Sequence, residues 1–205
     1  MTTKLLIATH NPGKAREYQA LLADLPLQIT WLVAEGITFE APEQGATFAE
    51  NARAKARAYA QISGLLTWAD DSGLEVDALG GWPGVASARH AGPDASDWDR
   101  LQILLQRLSG LPYERRAAVF RCAVAVATPT ADLFLAEGSS AGVIAEQPQG
   151  EGGFGYDPIF YVPKFGRTFA QLTPTEKHSI SHRGRAARRA RVLLQRYLHE
   201  EGPGR

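Results

Sequence analysis

Two adjacent carboxylates, Asp70 and Asp71, follow the apolar run at residues 65–69. Adjacent carboxylates repel each other, so each must be solvated, paired with a cation or bound to a metal. Oxygen ligands with no nitrogen or sulfur ligand nearby suit a hard cation such as Mg²⁺, and Mg²⁺ indicates a phosphate substrate. Glu43, on the acidic loop 39–45, can complete the coordination or remain a solvated loop charge. A solvated Asp-Asp-Ser-Gly turn is the alternative interpretation of the aspartate pair.

The turn after the apolar strand at residues 5–8 is a second candidate site. Asn-Pro-Gly predicts a tight turn, and a helix is predicted from Lys14 to Leu22. Backbone N–H groups, a hydroxyl and an ammonium then meet at one helix N-terminus, which is how proteins hold phosphate. The segment lacks the first glycine and the Lys-Ser/Thr pair of a P-loop, and an ordinary turn with a solvated lysine is the alternative. The residues in question are Thr9, His10, Asn11, Pro12, Gly13 and Lys14.

A glycine-rich segment at residues 152–158 surrounds two aromatic residues, Phe154 and Tyr156. Glycines let a backbone approach a ligand closely, and the aromatic rings offer flat faces on which a base can stack. Asp157 can accept hydrogen bonds from a base edge. A hairpin turn with packed aromatic side chains is the alternative.

The last predicted helix begins with two basic residues, His182 and Arg183, after Ser181 as the N-cap. Cations at a helix N-terminus oppose the helix dipole, so their presence indicates a functional site. An anionic ligand or a carboxyl group would balance both charges. An exposed basic helix start is the alternative.

These segments lie on predicted helices and strands of an α/β fold with a mixed sheet. A capping box of Thr47 and Glu50 predicts the start of the second helix. We expect one domain over residues 1–205. The predicted helices cover 14–22, 47–60, 98–108 and 181–198, and the predicted strands cover 5–8, 29–33, 65–69, 74–79, 117–128 and 133–144.

The composition excludes several classes of protein. The chain has 205 residues and a formal net charge of +0, which argues against a general attraction for nucleic acid or an anionic membrane. One cysteine, Cys122, excludes a disulfide framework and a cysteine-rich zinc site, and we expect it to be a buried strand thiol. No apolar run reaches the roughly 18 residues of a membrane helix, so we expect a cytoplasmic protein.

Six sequence blocks together resemble the inosine/xanthosine triphosphate pyrophosphatase family, and they occur in family order over nearly the whole chain. The blocks are residues 8–14 with Glu17, 45–52 with Lys55 and Ala56, 69–74, 80–89, 153–160 and 179–183. Their number and order make the match far more specific than any single motif.

The resemblance implies an elongated α/β fold with two lobes around a central active-site cleft, and usually a homodimer. It implies Mg²⁺-dependent hydrolysis of non-standard purine nucleoside triphosphates (dITP/ITP and XTP) to the monophosphate and pyrophosphate. Carried over by position, Asp71 is the proton acceptor and a metal ligand. The implied substrate-binding residues are Thr9, His10, Asn11, Pro12, Gly13, Lys14, Ser72, Phe154, Gly155, Tyr156, Asp157, Lys177, His182 and Arg183.

One departure from the family pattern concerns the second metal ligand. The family often has two adjacent acids just before the glycine that precedes Thr-Phe, whereas Pro42 takes one of those places here. Glu43 is therefore the acid available in this segment, and we expect it to be the second metal ligand. His10 is a lesser departure, because small residues are frequent at that position.

The expected mechanism is in-line attack of water on the α-phosphorus, with Asp71 as the base. The metal, Lys14 and Lys177 would stabilise the developing negative charge. A donor from His182, Arg183 or a loop N–H would select a 6-oxo purine, because adenine would leave that donor unpaired. Two alternatives stay open: a Mg²⁺-dependent hydrolase of pyrimidine or methylated nucleotides, and a nucleic-acid-binding module that uses the arginine-rich helix 183–196.

Overall fold

The computed structural model describes residues 3–200. Its helices are α1 (Pro12–Leu21), α2 (Phe48–Ser63), α3 (Asp97–Arg107), α4 (Pro174–Ile180) and α5 (His182–Glu200). Its strands are β1 (Lys4–Ile7), β2 (Gln28–Trp31), β3 (Leu66–Val76), β4 (Ala117–Ala127), β5 (Asp132–Ile144), β6 (Phe160–Val162) and β7 (Arg167–Thr168). Within residues 3–200, no helix combines the length and the apolar character needed to cross a membrane.

The seven strands form one mixed sheet in the order β2-β1-β3-β4-β5-β6-β7. Strand β1 pairs in parallel with β2 and with β3, whereas β6 pairs in antiparallel fashion with β5 and with β7. Neighbouring strands β4 and β5 are joined by a four-residue connection, which is too short for a parallel crossover. The combination of this sheet with the helices confirms the predicted α/β class.

The described chain forms two compact units, and the prediction of one domain over residues 1–205 stays a prediction. Unit 1 contains the described residues up to Asp71, Cys122–Gly138 and the described residues from Arg183 onward. Unit 2 contains Ser72–Arg121 and Ser139–His182. The long strands β3, β4 and β5 contribute residues to both units.

Each unit has its own hydrophobic core. The core of unit 1 is formed by residues from β1, α1, β3, β4 and α5, among them Leu5, Tyr18, Trp68, Val124 and Leu194. The core of unit 2 is formed by residues from β3, α3, β4 and the segments around β6, among them Leu74, Leu104, Phe120, Phe160 and Phe169.

Local signals explain where the helices begin. Thr47 and Glu50 form the predicted capping box of α2, because each side chain bonds to the backbone N–H of the other. Gly64 ends this helix in the left-handed region, at a φ of 71°. Asn11 caps α1, and Pro12 occupies the first helical position, where a missing N–H costs nothing.

The predicted strands 65–69 and 74–79 are a single strand, because β3 continues through residues 70–73 to Val76. The alternative of a solvated Asp-Asp-Ser-Gly turn is therefore wrong. Successive side chains of a strand point to opposite faces, so the two carboxylates do not lie side by side. Asp70 contacts Lys14, and Asp71 contacts Asn51. Because each carboxylate has its own partners, the strand continues. The predicted strand 74–79 extends three residues too far, because β3 ends at Val76 and residues 77–79 form a 3₁₀ turn.

Candidate active site

The predicted phosphate-binding turn lies at the N-terminus of α1 in unit 1. The Asn11 side chain accepts a hydrogen bond from Lys14 N at 3.0 Å, and Thr9 Oγ1 accepts one from Asn11 N at 3.1 Å. Thr9 is almost buried, whereas Asn11 and Pro12 are exposed. The helix N-terminus and the lysine therefore occur together as the sequence predicted.

His10 connects this turn to the acidic loop. Its Nε2 lies 2.9 Å from the carbonyl oxygen of Phe39, which also accepts a hydrogen bond from Tyr59 OH at 3.0 Å. Tyr59 OH in turn accepts from Ala41 N at 3.1 Å. The start of the loop that carries Glu43 is thus anchored on both the turn and helix α2.

Asp70 joins two basic residues of the predicted site. Its Oδ2 lies 3.0 Å from Lys14 Nζ and 3.5 Å from Arg183 Nη2, and the residue is 2% exposed. Burial by itself raises the pKa of Asp70, but the charges of Lys14 and Arg183 outweigh it and hold that pKa below its ordinary value. Asp70 therefore stays ionised and keeps both cations in place.

Arg183 is held by two carboxylates, as predicted for a cation at this helix start. Its Nη1 donates to Glu17 Oε2 at 2.8 Å, and its Nη2 approaches Asp70. Burial by itself lowers the pKa of Arg183. The charges of Glu17 and Asp70 outweigh burial and raise that pKa above its ordinary value. The alternative of an exposed basic helix start is wrong for Arg183, which is 2% exposed.

Asp71, the predicted proton acceptor, is 5% exposed and is oriented by Asn51. Asn51 Nδ2 donates to Asp71 Oδ2 at 2.9 Å, while Asn51 Oδ1 accepts from Gly45 N at 2.8 Å. The amide is thereby fixed at both ends. A Cβ at Gly45 would approach within 2.8 Å of Asn51 Oδ1, so this close contact requires glycine.

Lys55 brings the two predicted metal ligands to one position. Its Nζ lies 2.7 Å from Glu43 Oε1 and 3.7 Å from Asp71 Oδ1. The two carboxylates thus face a single positive charge. Among residues 3–200, no group of three or more His, Cys, Asp or Glu side chains is arranged to hold a metal ion. Two carboxylates nevertheless suit Mg²⁺, which proteins usually bind through one or two carboxylates together with waters and substrate phosphates.

The sequence analysis did not identify Asn51 and Lys55 as site residues, although their spacing on helix α2 could have indicated them. They lie four residues apart on α2, within a stripe that also buries Ala52 and Ala56. Side chains at this spacing share one helix face, so two polar residues on a buried face indicate a functional contact.

Cys122 has the predicted structural position in β4. It is 2% exposed, and its Sγ lies 3.6 Å from Tyr18 OH. Burial and the nearby charge of Asp70 raise the pKa of the Cys122 thiol to about 12. A thiol with this pKa is not a nucleophile near neutral pH.

Unit 2 carries the predicted base-binding residues. Asp157 Oδ2 accepts from Phe154 N at 2.8 Å and from Lys177 Nζ at 2.6 Å. A Cβ at Gly153 would overlap the Asp157 carboxylate, so only glycine fits there. The Lys177 ammonium also lies 5.0 Å from the centre of the Phe154 ring. Phe154, Asp157 and Lys177 therefore form one cluster.

Phe154 and Tyr156 differ in their accessibility. Tyr156 is 6% exposed and belongs to the core of unit 2, and its hydroxyl donates to Ser87 O at 2.8 Å. Phe154 is half-buried. The geometry favours Phe154 as the ring that a base would contact.

His182 and Ser72 complete the predicted residues of unit 2. The His182 ring stacks on Phe120, with centroids 4.5 Å apart and planes 10° apart, and His182 is 3% exposed. Ser72 is half-buried in β3. The predicted residues thus form two groups. Unit 1 holds Thr9, His10, Asn11, Pro12, Gly13, Lys14, Glu43, Asp71 and Arg183, and unit 2 holds Ser72, Phe154, Gly155, Tyr156, Asp157, Lys177 and His182.

Comparisons with known proteins identify the family to which this chain belongs. A model of the Ham1 family matches residues 5–192. A dITP/XTP pyrophosphatase of Desulforamulus reducens is 49% identical over 199 residues, which cover 97% of this chain and 99% of that protein. A dITP/XTP pyrophosphatase of Bacillus subtilis is 46% identical over 190 residues, which cover 93% and 96%.

Solved structures agree with the sequence comparisons. A HAM1 protein from Coxiella burnetii has a TM-score of 0.84 and 40% identity, covering 95% of this chain and 100% of that one. The Ham1 protein of Staphylococcus aureus has a TM-score of 0.82 and 38% identity, covering 94% and 98%. The resemblance inferred from six sequence blocks is confirmed, and this chain belongs to the Ham1 family.

Proposed function

We propose that this chain hydrolyses non-standard purine nucleoside triphosphates (dITP/ITP and XTP) to the monophosphate and pyrophosphate, with Mg²⁺ as cofactor. The observation that carries the proposal is the convergence of Glu43 and Asp71 on the ammonium of Lys55. Two carboxylates that share one cation form a position where a divalent ion can replace it. The dITP/XTP pyrophosphatase names of close relatives support the substrate class.

The residues of unit 1 would bind the triphosphate. The N-terminus of α1 points N–H groups and a positive dipole at an anion, and Lys14 adds a charge fixed by Asp70. Because Asp70 holds the ammonium before substrate arrives, little side-chain entropy is lost on binding. Arg183, fixed by Glu17 and Asp70, adds a second positioned cation.

Asp71 would act as the base. It accepts a proton from water as the water oxygen forms a bond to the α-phosphorus. The bond from that phosphorus to the bridging oxygen breaks, and pyrophosphate leaves. Asn51 holds Asp71 Oδ2, so the other oxygen, Oδ1, is the one directed at the Lys55 position. Orientation of the carboxylate before reaction lowers the barrier.

Glu43 and Asp71 would hold the Mg²⁺. The donor set consists of carboxylate oxygens, as this hard cation prefers. When bound, Mg²⁺ supplies positive charge that neutralises phosphate oxygens. The ammonium of Lys55 would then leave the carboxylates and become available to the phosphates.

The residues of unit 2 would bind the base. Phe154 offers a ring face, and Lys177 and Asp157 lie beside it. His182 or a loop N–H would donate to the 6-oxygen, and the 6-amino group of adenine would leave that donor unpaired. We further propose a homodimer that works in the cytoplasm, which sedimentation of the purified protein and fractionation of cells would test.

The decisive experiment is pyrophosphate release from dITP by the wild type and by Asp71→Asn, with and without Mg²⁺. The variant should lose orders of magnitude in kcat while its circular dichroism spectrum is unchanged. Asp24→Asn, a change at an exposed carboxylate of the same unit, should behave as the wild type. Near-normal turnover by Asp71→Asn would remove Asp71 from this role.

A substrate panel separates the proposal from a hydrolase of other nucleotides. Turnover should be faster with dITP and XTP than with GTP, dUTP and modified pyrimidine triphosphates. A preference for a pyrimidine would overturn the proposed base selection and leave the phosphate chemistry intact.

A further inference from the structure

Asp97, the first residue of α3, contacts the glycine-rich loop of unit 2. Its Oδ2 accepts a hydrogen bond from Gly155 N at 2.8 Å, and its Oδ1 accepts one from Arg100 Nη2 at 2.8 Å. Gly155 lies 58 residues further along the chain. Nothing in the local sequence of α3 requires this contact, because the cap of α3 is made by Ser96 and Asp99.

The loop is therefore held by carboxylates at two consecutive N–H groups. Asp157 accepts from Phe154 N, and Asp97 accepts from Gly155 N. These two N–H groups lie on either side of the α-carbon and the carbonyl carbon of Phe154. When both are fixed, the backbone angles of Phe154 are fixed, and the direction of its side chain is restricted.

The segment before α3 holds the next residue of the loop. Tyr156 OH donates to Ser87 O at 2.8 Å and lies 2.7 Å from His90 Nε2. Because the hydroxyl has one proton, which it gives to Ser87, His90 Nε2 must be the donor in the second bond. Burial and the charges of Arg100 and Arg107 lower the pKa of His90, which favours the neutral ring, and the bond to Tyr156 assigns its proton to Nε2.

Arg100 connects these contacts to one another. Its Nη2 holds Asp97, while its Nη1 donates to Ala95 O at 2.6 Å and to Ala88 O at 3.2 Å. The carboxylate that contacts the loop is thereby fixed to the segment that also provides Ser87 and His90. Residues 87–100 therefore hold the loop through Ser87, His90 and Asp97.

We propose that Asp97 is a positioning residue that sets the direction of the Phe154 ring for the purine base. The inference rests on the proposed function, in which this loop binds the base. Asp97 itself does not touch the substrate. It acts through the Gly155 N–H, and its loss would leave the loop free to sample other conformations before a nucleotide binds.

The test compares Asp97→Ala with Asp97→Asn in the full-length protein. The amide of asparagine keeps an acceptor for Gly155 N–H, whereas alanine removes it. Asp97→Ala should raise the KM for dITP by about tenfold with kcat changed less than about twofold, because a charged hydrogen bond that positions the loop is lost while Asp71 is untouched. Asp97→Asn should restore most of the affinity.

Hydrogen exchange of the Gly155 amide provides a readout independent of turnover. Asp97→Ala should accelerate it at least several-fold in the absence of nucleotide, and Asp97→Asn should not. The matched control is Asp99→Ala, which removes a capping contact from the same helical turn and touches nothing in the loop. It should lower the melting temperature and leave both the KM and the Gly155 exchange unchanged.

Two results would overturn the inference: unchanged KM and Gly155 exchange in Asp97→Ala, or the same KM increase in Asp99→Ala. Phe154→Ala separates this failure from failure of the proposed function. If Phe154→Ala raises the KM and Asp97→Ala does not, only the positioning role is wrong. If Phe154→Ala leaves the KM unchanged, the loop does not bind the base and the inference falls with that assignment.

Discussion

The ammonium of Lys14 lies 3.0 Å from Asp70 Oδ2, and the Asp70 side chain is 1% exposed. The contact joins helix α1, whose first residues belong to the turn at residues 9–14, to strand β3, which also carries Asp71. In the proposed function, one carboxylate of the Asp-Asp pair would position a lysine that binds phosphate, and its neighbour would hold Mg²⁺. The alternation of strand β3 separates the two roles.

Removal of the Asp70 charge should change how activity depends on pH. Burial lowers the pKa of Lys14 below its ordinary value of 10.5, and the charge of Asp70 raises it and offsets part of that shift. In the proposed function the charged form of Lys14 binds phosphate, so affinity should be present below this pKa and lost as pH rises through it. In Asp70→Asn the pKa falls further, and the alkaline limb of kcat/KM should move down by about one pH unit.

This prediction is checked by kcat/KM for dITP from pH 7 to 10 in both proteins. Asp24→Asn is the control, because its carboxylate is 68% exposed and pairs with Arg191 on α5. An alkaline limb at the same pH in wild type and Asp70→Asn would contradict the coupling.

Asn51→Ala should lower kcat more than it raises KM. The change removes the donor to Asp71 and the acceptor for Gly45 N–H, so the carboxylate loses its fixed orientation. Small displacements of a reacting group cost up to about 100-fold in rate, and we expect a loss of about 10- to 100-fold. Steady-state kinetics with dITP measure it, with Gln61→Ala at an exposed position of α2 as control. A folded Asn51→Ala with wild-type kcat would show that the hydrogen bond has no role in the reaction.

Lys55→Gln should strengthen binding of the metal in the absence of nucleotide. The ammonium competes for Glu43 and Asp71, so its removal leaves two carboxylates without that positive charge. The dissociation constant for Mg²⁺, or for Mn²⁺ as a spectroscopic substitute, should fall by about tenfold. Titration calorimetry measures it, with Glu43→Gln as the opposite case, in which affinity should decrease. Equal affinity in wild type and both variants would place the metal elsewhere.

Asp157→Asn should destabilise the protein, because the Lys177 and Asp157 side chains are 6% and 4% exposed. Removal of one charge from a buried pair costs about 3–5 kcal/mol of unfolding free energy. Urea denaturation measures it, and Lys177→Met in the Asp157→Asn background should recover part of the loss. Glu176→Gln, at an ion pair whose side chains are 39% and 34% exposed, should have a much smaller effect. An equal loss of unfolding free energy in Asp157→Asn and Glu176→Gln would contradict the role of burial in this difference.

The sequence predicted the helices well, because their signals are local. Thr47 with Glu50 predicted the start of α2, whereas α1 begins at Pro12, two residues before the predicted start at Lys14, because Pro12 and Gly13 belong to the first helical turn. The meeting of a helix N-terminus and a lysine at residues 9–14 was predicted for the same reason, since these residues are contiguous, and the binding of phosphate there stays a prediction. A strand break at the aspartate pair was predicted because Asp-Asp-Ser-Gly favours turns locally. The strand continues in the structure, where each carboxylate has its own partners.

The sequence by itself determined which residue types stand at each turn, cap and glycine-rich loop, and six such blocks were enough to indicate the family. Only the tertiary structure decided which of these residues form hydrogen bonds and ion pairs with each other. Arg183 meets Glu17 across 166 positions, Asp71 meets Asn51 across 20, and Asp97 meets Gly155 across 58. Hydrogen bonds and ion pairs depend on distances of about 3 Å, and the order of residues along a chain does not fix such distances between segments until the core has folded.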